Sequence, residues 1–255
     1  MGKLLLTAAV AAVMLFASGC ISNKEVLYPA DMTVAELEKK MNEVTDPQGI
    51  FANSKSYSMK QEIKEIQWLD DDIIKMVEVK FERPDKLAII TYEDNQPVSM
   101  FCTDGRRGWI ADYGSRRIVM LEEEGLKRMN MLSSLGKPGA GGYNSVFKDV
   151  ELQKISNDDG NYYVIICRGE IQKEPVYFYV DAETFLLRKV KMKVELSDSE
   201  SFDYENRILE YEMRDGVRIP VKTEIRQLGA VQESSVMSYQ LNRKFDETEF
   251  LPPVF

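Results

Sequence analysis

The sequence contains no histidine and only three cysteines among 255 residues. Without histidine, a Ser-His-Asp triad, a Cys-His nucleophile pair and the common histidine-based metal sites are all excluded. No carboxylate pair stands out as a catalytic couple, because with 42 acidic residues close pairs arise by chance. The sequence therefore predicts a protein that is not an enzyme and that uses no cofactor.

Positive charge is also scarce, with 33 Lys and Arg against 42 Asp and Glu and a net charge of −9. An acidic chain lacks the basic patch that neutralises phosphates, so nucleic acid is not an expected partner. The acidic runs at 70–72 and 122–124 lack the spaced oxygen ligands and turn glycine of a calcium loop. They are interpreted as a solvated hairpin tip and a helix start, and no metal site is predicted.

Long apolar runs are missing except for one, the 13 residues from Leu4 to Phe16, which only Thr7 interrupts. This run follows Lys3 and is too short to span a bilayer, which needs about 20 residues. A basic start, a short apolar stretch and small residues at its end are typical of an export signal. The segment "ASGC" resembles the bacterial lipobox, which implies that residues 1–19 are removed and that Cys20 carries the lipid anchor.

The mature chain would then have 236 residues (255 minus 19) and, without Lys3, a net charge of −10. By the same resemblance, Ile21 in place of Asp after the cysteine favours the outer membrane. Residues 20–31 are expected to form a tether, and residues 32–255 a single domain facing the periplasm. Membrane contact is expected through lipidated Cys20, since an acidic surface is not attracted to anionic lipids.

Apolar periodicity divides this domain into helices and strands. Thr33 with Glu36 forms a capping box that predicts a helix ending near Asp46. From Ser56 the apolar period becomes two, and six short strands follow without intervening helices, which indicates an antiparallel meander. Turn signals such as Asp94–Asn95 separate these strands. Residues 121–145 are predicted to form a helix plus a glycine-rich insert, and strands resume at Val146. About thirteen strands predict a mainly β (α+β) fold, a curled antiparallel sheet forming an unclosed barrel that the two helical segments cover.

Two strands alternate clearly enough to assign a candidate ligand cavity. Their apolar faces would line it with Val77, Val79, Phe81, Val190, Met192 and Val194. The remaining cysteines, Cys102 and Cys167, are compatible either with a disulfide, which an exported protein permits, or with two buried free thiols.

The second half of the chain is similar to a known superfamily. The segments "VYFYVDAETFLLRKVKMKV", "YEMRDGVRIPVKTEI" and "LNRKFDETEFLPP" resemble the strand and turn patterns of the LolA/LolB-like outer-membrane lipoprotein-sorting proteins, and "MTVAELEKKM" fits their N-terminal helix. The resemblance covers roughly residues 33–253. It implies an unclosed barrel with a helical lid over a hydrophobic cavity. An anchored member would be similar to the outer-membrane receptor, which presents a large apolar residue on a protruding loop; the loop here, 136–142, carries none, and Tyr143 follows it.

The resemblance implies one function, and the sequence leaves a second open. The first is non-covalent binding of lipid or lipoprotein acyl chains, in lipoprotein sorting or transport, with a periplasmic carrier or envelope protein as a partner. The alternative is a structural or regulatory envelope lipoprotein whose barrel is filled by its own side chains and which docks a protein partner.

Overall fold

The computed structural model describes residues 26–66, 72–123, 125–127, 130, 142–157, 159–169, 174–195 and 201–255. The predicted export signal, Cys20 and most of the glycine-rich insert lie outside these residues. Within them one antiparallel sheet dominates, with fourteen strands. The strands are β1 Val26–Pro29, β2 Ser56–Ile66, β3 Ile73–Glu82, β4 Lys86–Glu93, β5 Gln96–Thr103, β6 Gly108–Asp112, β7 Arg117–Met120, β8 Asp149–Asn157, β9 Gly160–Arg168, β10 Val176–Asp181, β11 Leu187–Glu195, β12 Ser201–Arg214, β13 Val217–Gln227 and β14 Ala230–Leu241.

The sheet consists of two meanders joined side by side. Strands β8 to β14 follow one another, β14 then pairs with β2, and β2 to β7 complete the sheet. Since β1 and β7 are its two edges, the sheet is not closed, which confirms the predicted fold. The sheet has one strand more than the thirteen expected, because part of the predicted tether forms β1. This strand pairs with β8, with Val26 opposite Ser156 and Pro29 opposite Gln153. The prediction that the tether extends to residue 31 is therefore wrong for residues 26–29.

Tight two-residue turns connect three of the hairpins. Both turn residues have positive φ at Asp94–Asn95 (49° and 62°), Asp215–Gly216 (49° and 81°) and Leu228–Gly229 (51° and 78°). This backbone shape matches the twist of the flanking strands, and Asn, Asp and Gly adopt it at low cost. The turn predicted at Asp94–Asn95 is confirmed.

Among the described residues, three α-helices with both ends defined accompany the sheet, α1 Val34–Thr45, α2 Ile50–Asn53 and α3 Tyr143–Val146, and a 3-10 helix spans Glu247–Phe250. The capping box at the start of α1 is present: the N–H of Glu36 donates to Thr33 Oγ1 at 3.3 Å, and the N–H of Thr33 donates to Glu36 Oε2 at 2.8 Å. In the second predicted helical segment, the described residues Glu123, 125–127 and Asn130 are helical.

The two faces of the sheet are covered by different parts of the chain. On one face, here called the inner face, α1 and α3 pack over β8–β11 and α2 packs over β13, β14 and β2. On the opposite or outer face, the C-terminal segment packs over β4–β6, where Phe250 is 1% exposed among Ala88, Ile90, Met100, Cys102 and Ala111. The barrel interior is therefore the face that carries the helices.

The two cysteines belong to different faces and different clusters. Cys102 lies on β5 in the outer cluster and Cys167 lies on β9 beneath α1, nine positions apart in the strand order. Both are buried free thiols, so of the two alternatives left open by the sequence, the second applies and Cys102 and Cys167 are not bridged. Burial raises the pKa of each thiol to about 12. An oxidising compartment would permit a bridge, but it does not bring distant strands together.

Candidate functional site

The six residues predicted to line a cavity lie on the inner face. Directly opposite residues of antiparallel strands point to the same side of a sheet, so register identifies the face. Val77, Val79 and Phe81 lie opposite Gln61, Met59 and Tyr57 of β2. Val190, Met192 and Val194 lie opposite Asn206, Tyr204 and Phe202 of β12. The registers of β12 to β14 and β2 connect the two sets, which share one face at separate places along the sheet.

An apolar row crosses the inner face from β2 to β7. It contains one side chain from each of six consecutive strands, and successive members lie opposite each other: Met59, Val79, Ile89, Phe101, Ile110 and Val119. The first four are half-buried, whereas Ile110 is 46% and Val119 51% exposed. The row therefore becomes more accessible toward the edge of the sheet.

The neighbouring rows differ in polarity on the two sides of this apolar row. On one side Tyr57 and Phe81 stack at 5.5 Å between ring centroids, and Phe51 of α2 lies 6.0 Å from Tyr57. These packed rings form a floor. On the other side, the row that contains Val77 also contains the polar residues Gln61, Thr91, Ser99, Asp112 and Arg117. An apolar strip between a packed floor and a polar rim suits a long apolar ligand with a polar end.

Over β8–β11 the inner face is covered by the protein's own helix. Leu37 of α1 is completely buried in a cluster with Ile165 and Phe178. Val190 and Met192 pack against this cluster. Of the two sets of predicted cavity residues, the set on β11 therefore lies next to a packed core, and the set on β3 lies beside the apolar row.

Polar contacts hold α1 over the sheet. Just before the helix, Asp31 accepts hydrogen bonds from the Tyr163 hydroxyl at 2.6 Å and from Lys154 Nζ at 3.2 Å. The hydroxyl of Tyr163, together with Lys154, holds the pKa of the Asp31 carboxyl below its ordinary value. Further along, the ammonium of Lys40 lies 4.5 Å from the centre of the Phe185 ring. These contacts hold the start and the middle of α1 against the sheet.

Helix α1 also holds α3 in place. The Tyr143 N–H donates to Glu38 Oε1 at 2.6 Å. Tyr143 is only 8% exposed, and its ring centre lies 4.8 Å from that of Phe178. Tyr143 is thus part of the core rather than an apolar residue on a protruding loop.

Two polar atoms on the inner face lack a hydrogen-bond partner among the described residues. They are Asn206 Oδ1 on β12 and the hydroxyl oxygen of Tyr239 on β14, and both atoms are buried. Burial also raises the pKa of Tyr239, which keeps its hydroxyl protonated. Since buried polar groups are nearly always paired, these two positions are suited to water or to the polar end of a ligand. Sequence reasoning missed both, because a single Asn or Tyr within a strand does not reveal its hydrogen bonds.

Two further properties of the described residues bear on the chemistry of the site. They contain no group of three or more Cys, Asp or Glu side chains placed to hold a metal ion. They also contain no helix with the length and apolar character needed to cross a membrane.

No family model matches the sequence, and the search of curated proteins finds no match. Solved structures do share the fold. A LolA superfamily protein from Nitrosomonas europaea matches with a TM-score of 0.58 at 16% identity, over 87% of this chain and 98% of the other. A putative outer membrane lipoprotein-sorting protein domain from Vibrio parahaemolyticus matches at 0.55 and 10% identity, over 85% and 95%. A DUF1329 family protein from Desulfovibrio piger matches at 0.56 and 10% identity, over 84% and 94%. The chain therefore has the LolA-like fold, as the resemblance in its second half predicted.

Proposed function

We propose that this protein is a lipid-anchored lipoprotein of the bacterial outer membrane that faces the periplasm and binds lipid or lipoprotein acyl chains on its inner face. Its role is in lipoprotein sorting or transport and involves no catalysis. The observation that carries this proposal is the apolar row from Met59 to Val119, half-buried at one end and open at the other.

The size and chemistry of the row support an acyl ligand. Strands lie about 4.8 Å apart, so a row over six strands extends about 24 Å, comparable to a long acyl chain. Each methylene group that leaves water contributes about 0.8 kcal/mol. The side chains of the row carry no charge, and their one polar contact is the Met59 sulfur, which accepts a hydrogen bond from Gln61 at 3.5 Å. Such a row selects ligands by length and apolar surface. The polar rim then provides contacts for a headgroup or for the protein part of a lipoprotein.

The proposed anchor and compartment rest on the N-terminal sequence. A single acyl chain gives only marginal membrane binding, so stable anchoring needs more than one chain. The triacylated cysteine implied by the lipobox resemblance meets this need at Cys20. The similarity to a putative outer membrane lipoprotein-sorting domain supports the same assignment. A periplasmic carrier or another envelope protein is the expected partner.

A second candidate function rests on the packing beneath α1. There, Leu37 and Ile165 are both completely buried, so this half of the interior is filled by the protein itself. If the apolar row is filled by the protein's own side chains as well, the protein is instead a structural or regulatory lipoprotein that docks a partner through its surface.

Native mass spectrometry of the chain beginning at residue 21 distinguishes these functions. Acyl-chain binding predicts a mass increment that corresponds to a lipid and that disappears after delipidation. Adding a fatty acid to the delipidated protein should restore an increment. A protein that purifies without lipid and gains no mass with fatty acid supports the docking function instead.

A further inference from the structure

Strand β7 leaves one edge of the sheet open. Among the described residues it pairs only with β6. All four of its residues are exposed, including Ile118 at 42%, Val119 at 51% and Met120 at 62%. Edge strands with apolar side chains and unpaired backbone groups readily pair with another strand, and proteins usually protect them with charges, bulges or proline. Apart from its short length, β7 has none of these protections beyond Arg117 at its start.

The register shows which backbone groups of β7 face the open edge. The Leu121 N–H donates to the Gly108 carbonyl at 2.8 Å, so these two residues form a hydrogen-bonded pair. Hydrogen-bonded and non-hydrogen-bonded pairs alternate along an antiparallel ladder. Two residues before Leu121, Val119 also forms a hydrogen-bonded pair with β6, opposite Ile110. Ile118 and Met120, the neighbours of Val119 on either side, form non-hydrogen-bonded pairs. The N–H and C=O groups of Ile118 and Met120 therefore point away from β6.

We propose that this edge binds a second copy of the same chain, with β7 antiparallel to β7 and a twofold axis beside Val119. In this register Ile118 lies opposite Met120 of the second copy, and the same pair recurs on the other side of the axis. The two pairs form four backbone hydrogen bonds, which use the groups that face the open edge. Val119 lies opposite its own equivalent as a non-hydrogen-bonded pair.

The charges flanking β7 favour this arrangement. Arg116 and Arg117 precede the apolar residues of the strand, and Glu122 and Glu123 follow them; all four are exposed. With the twofold axis at Val119, Arg116, a turn residue with φ 52° just before β7, comes beside Glu122 of the second copy, once on each side. Glu123 already pairs with Lys127 at 2.6 Å, so among the described residues Glu122 is the acid left beside the edge. A parallel arrangement would instead place like charges together, so the sequence "RRIVMLEE" is complementary to itself only when antiparallel.

The dimer would extend the inner face beyond one chain. A twofold axis perpendicular to the sheet keeps both inner faces on the same side. The apolar row ends at Val119, so it would continue through Val119 of the second copy into that copy's Ile110. This inference concerns assembly and does not depend on whether the row binds lipid.

Cysteine cross-linking of the full chain tests the register. In a non-hydrogen-bonded antiparallel pair the Cα atoms are about 4.5 Å apart, within the range of about 4.4–6.8 Å for a disulfide. Val119→Cys should therefore form a disulfide-linked dimer on mild oxidation. Ile118→Cys is the matched control, because the two Ile118 positions are diagonal neighbours about 7–8 Å apart. We expect at least about tenfold more dimer for Val119→Cys; equal yields, or no dimer with Val119→Cys, would overturn the proposal.

Charge exchange supplies an independent readout in the Val119→Cys background. Arg116→Glu should lower the dimer yield severalfold, and adding Glu122→Arg should restore it. Failure of the second substitution to restore the yield would contradict the pairing of these positions. If β7 contacts lipid rather than a second copy, Val119→Cys gives no dimer. In the Cys20→Ser background, which lacks the proposed anchor, flotation with neutral phosphatidylcholine vesicles is then lost on adding Met120→Glu; this result also overturns the proposal.

Discussion

Glu38 of α1 and the backbone of Tyr143 are joined by a 2.6 Å hydrogen bond across 105 residues of sequence. Directly before Tyr143, Gly142 has φ 80° and ψ −178°, a conformation essentially restricted to glycine. A Cβ at Gly142 would lie 2.6 Å from Glu38 Oε1, so the carboxylate occupies the space that a side chain would need. This contact connects the two helices that cover one half of the inner face.

Removing the hydrogen bond between Glu38 and Tyr143 should destabilise the packing of α1 and α3 on the sheet. Glu38→Ala leaves the Tyr143 N–H without its acceptor, and we expect a loss of about 1–3 kcal/mol in the free energy of unfolding. Gly142→Ala should cost a similar amount, about 1–3 kcal/mol, because of backbone strain. Urea denaturation followed by circular dichroism measures both. The control is Glu43→Ala on the same helix, where the 3.9 Å contact with Lys39 is exposed; an equal loss there would contradict the assigned role of Glu38.

The contacts of Asp31 predict a loss of stability in acid. Hydrogen bonds from Tyr163 and Lys154 lower the pKa of Asp31 below its ordinary value of 3.8. A carboxyl group with a lowered pKa in the folded state stabilises that state above its unfolded pKa, and the stabilisation is lost as the pH falls through the folded pKa. The urea midpoint should therefore fall between about pH 5 and pH 2, and less steeply in Asp31→Asn. Asp149→Asn, an exposed acid on β8, serves as the control; if the pH profile of Asp31→Asn matches that of the wild type, Asp31 does not hold α1 to the sheet.

The C-terminal segment should be essential for the stability of the outer face. Phe250 is 1% exposed, and beside it Glu249 pairs with Lys80 at 2.9 Å and with Arg243 at 3.1 Å. Phe250→Ala leaves a cavity over β4–β6, and we expect a loss of about 3–5 kcal/mol in the free energy of unfolding. Phe255 is 47% exposed, and its ring lies perpendicular to that of Tyr113 with the ring centres 5.5 Å apart. Phe255→Ala should therefore lower the free energy of unfolding by less than about 1 kcal/mol. Similar losses for the two variants would show that the segment does not pack as described.

The proposed anchor at Cys20 is tested in cells that express the full chain. Cys20→Ser removes the thiol that would carry the lipid and should move the protein from the membrane fraction to the soluble periplasmic fraction. Ser22→Ala, two residues further on, keeps the thiol and should stay with the membrane. Mass analysis of the N-terminal peptide provides a second readout, because lipidation adds a defined mass to Cys20. An N-terminal peptide that contains Cys20 without the added lipid mass would refute the anchor.

Local patterns in the sequence predicted the elements better than their arrangement. The capping box of Thr33 and Glu36 and the turn at Asp94–Asn95 depend on residues within one helical turn or one hairpin, so they are readable from the sequence. The pairing of β14 with β2 and of β1 with β8 joins segments far apart in the chain. No local period contains this information, because long-range packing decides which strands become neighbours.

The candidate site was predictable only in part for the same reason. Val79 was identified because β3 alternates cleanly between apolar and charged residues. Ile89 was missed because "KLAIITYE" is apolar on both faces: Leu87 and Ile89 point inward, while Ala88 and Ile90 pack beneath Phe250. Only the position of the C-terminal segment distinguishes the two faces of β4. The site therefore emerged from register and packing rather than from composition.

The central claim is that the apolar row of the inner face binds acyl chains, and two substitutions on β3 test it most directly. Val79→Glu places a carboxylate within the row, whereas Ile74→Glu places one on the outer face of the same strand, where Ile74 is 55% exposed. Titration with a fluorescent fatty acid should show binding to the wild type and to Ile74→Glu, and an affinity at least about tenfold lower for Val79→Glu, since a buried charge opposes apolar binding. Circular dichroism should confirm that both variants are folded. Equal affinities for folded Val79→Glu and Ile74→Glu, or no binding to the wild type, would contradict the account.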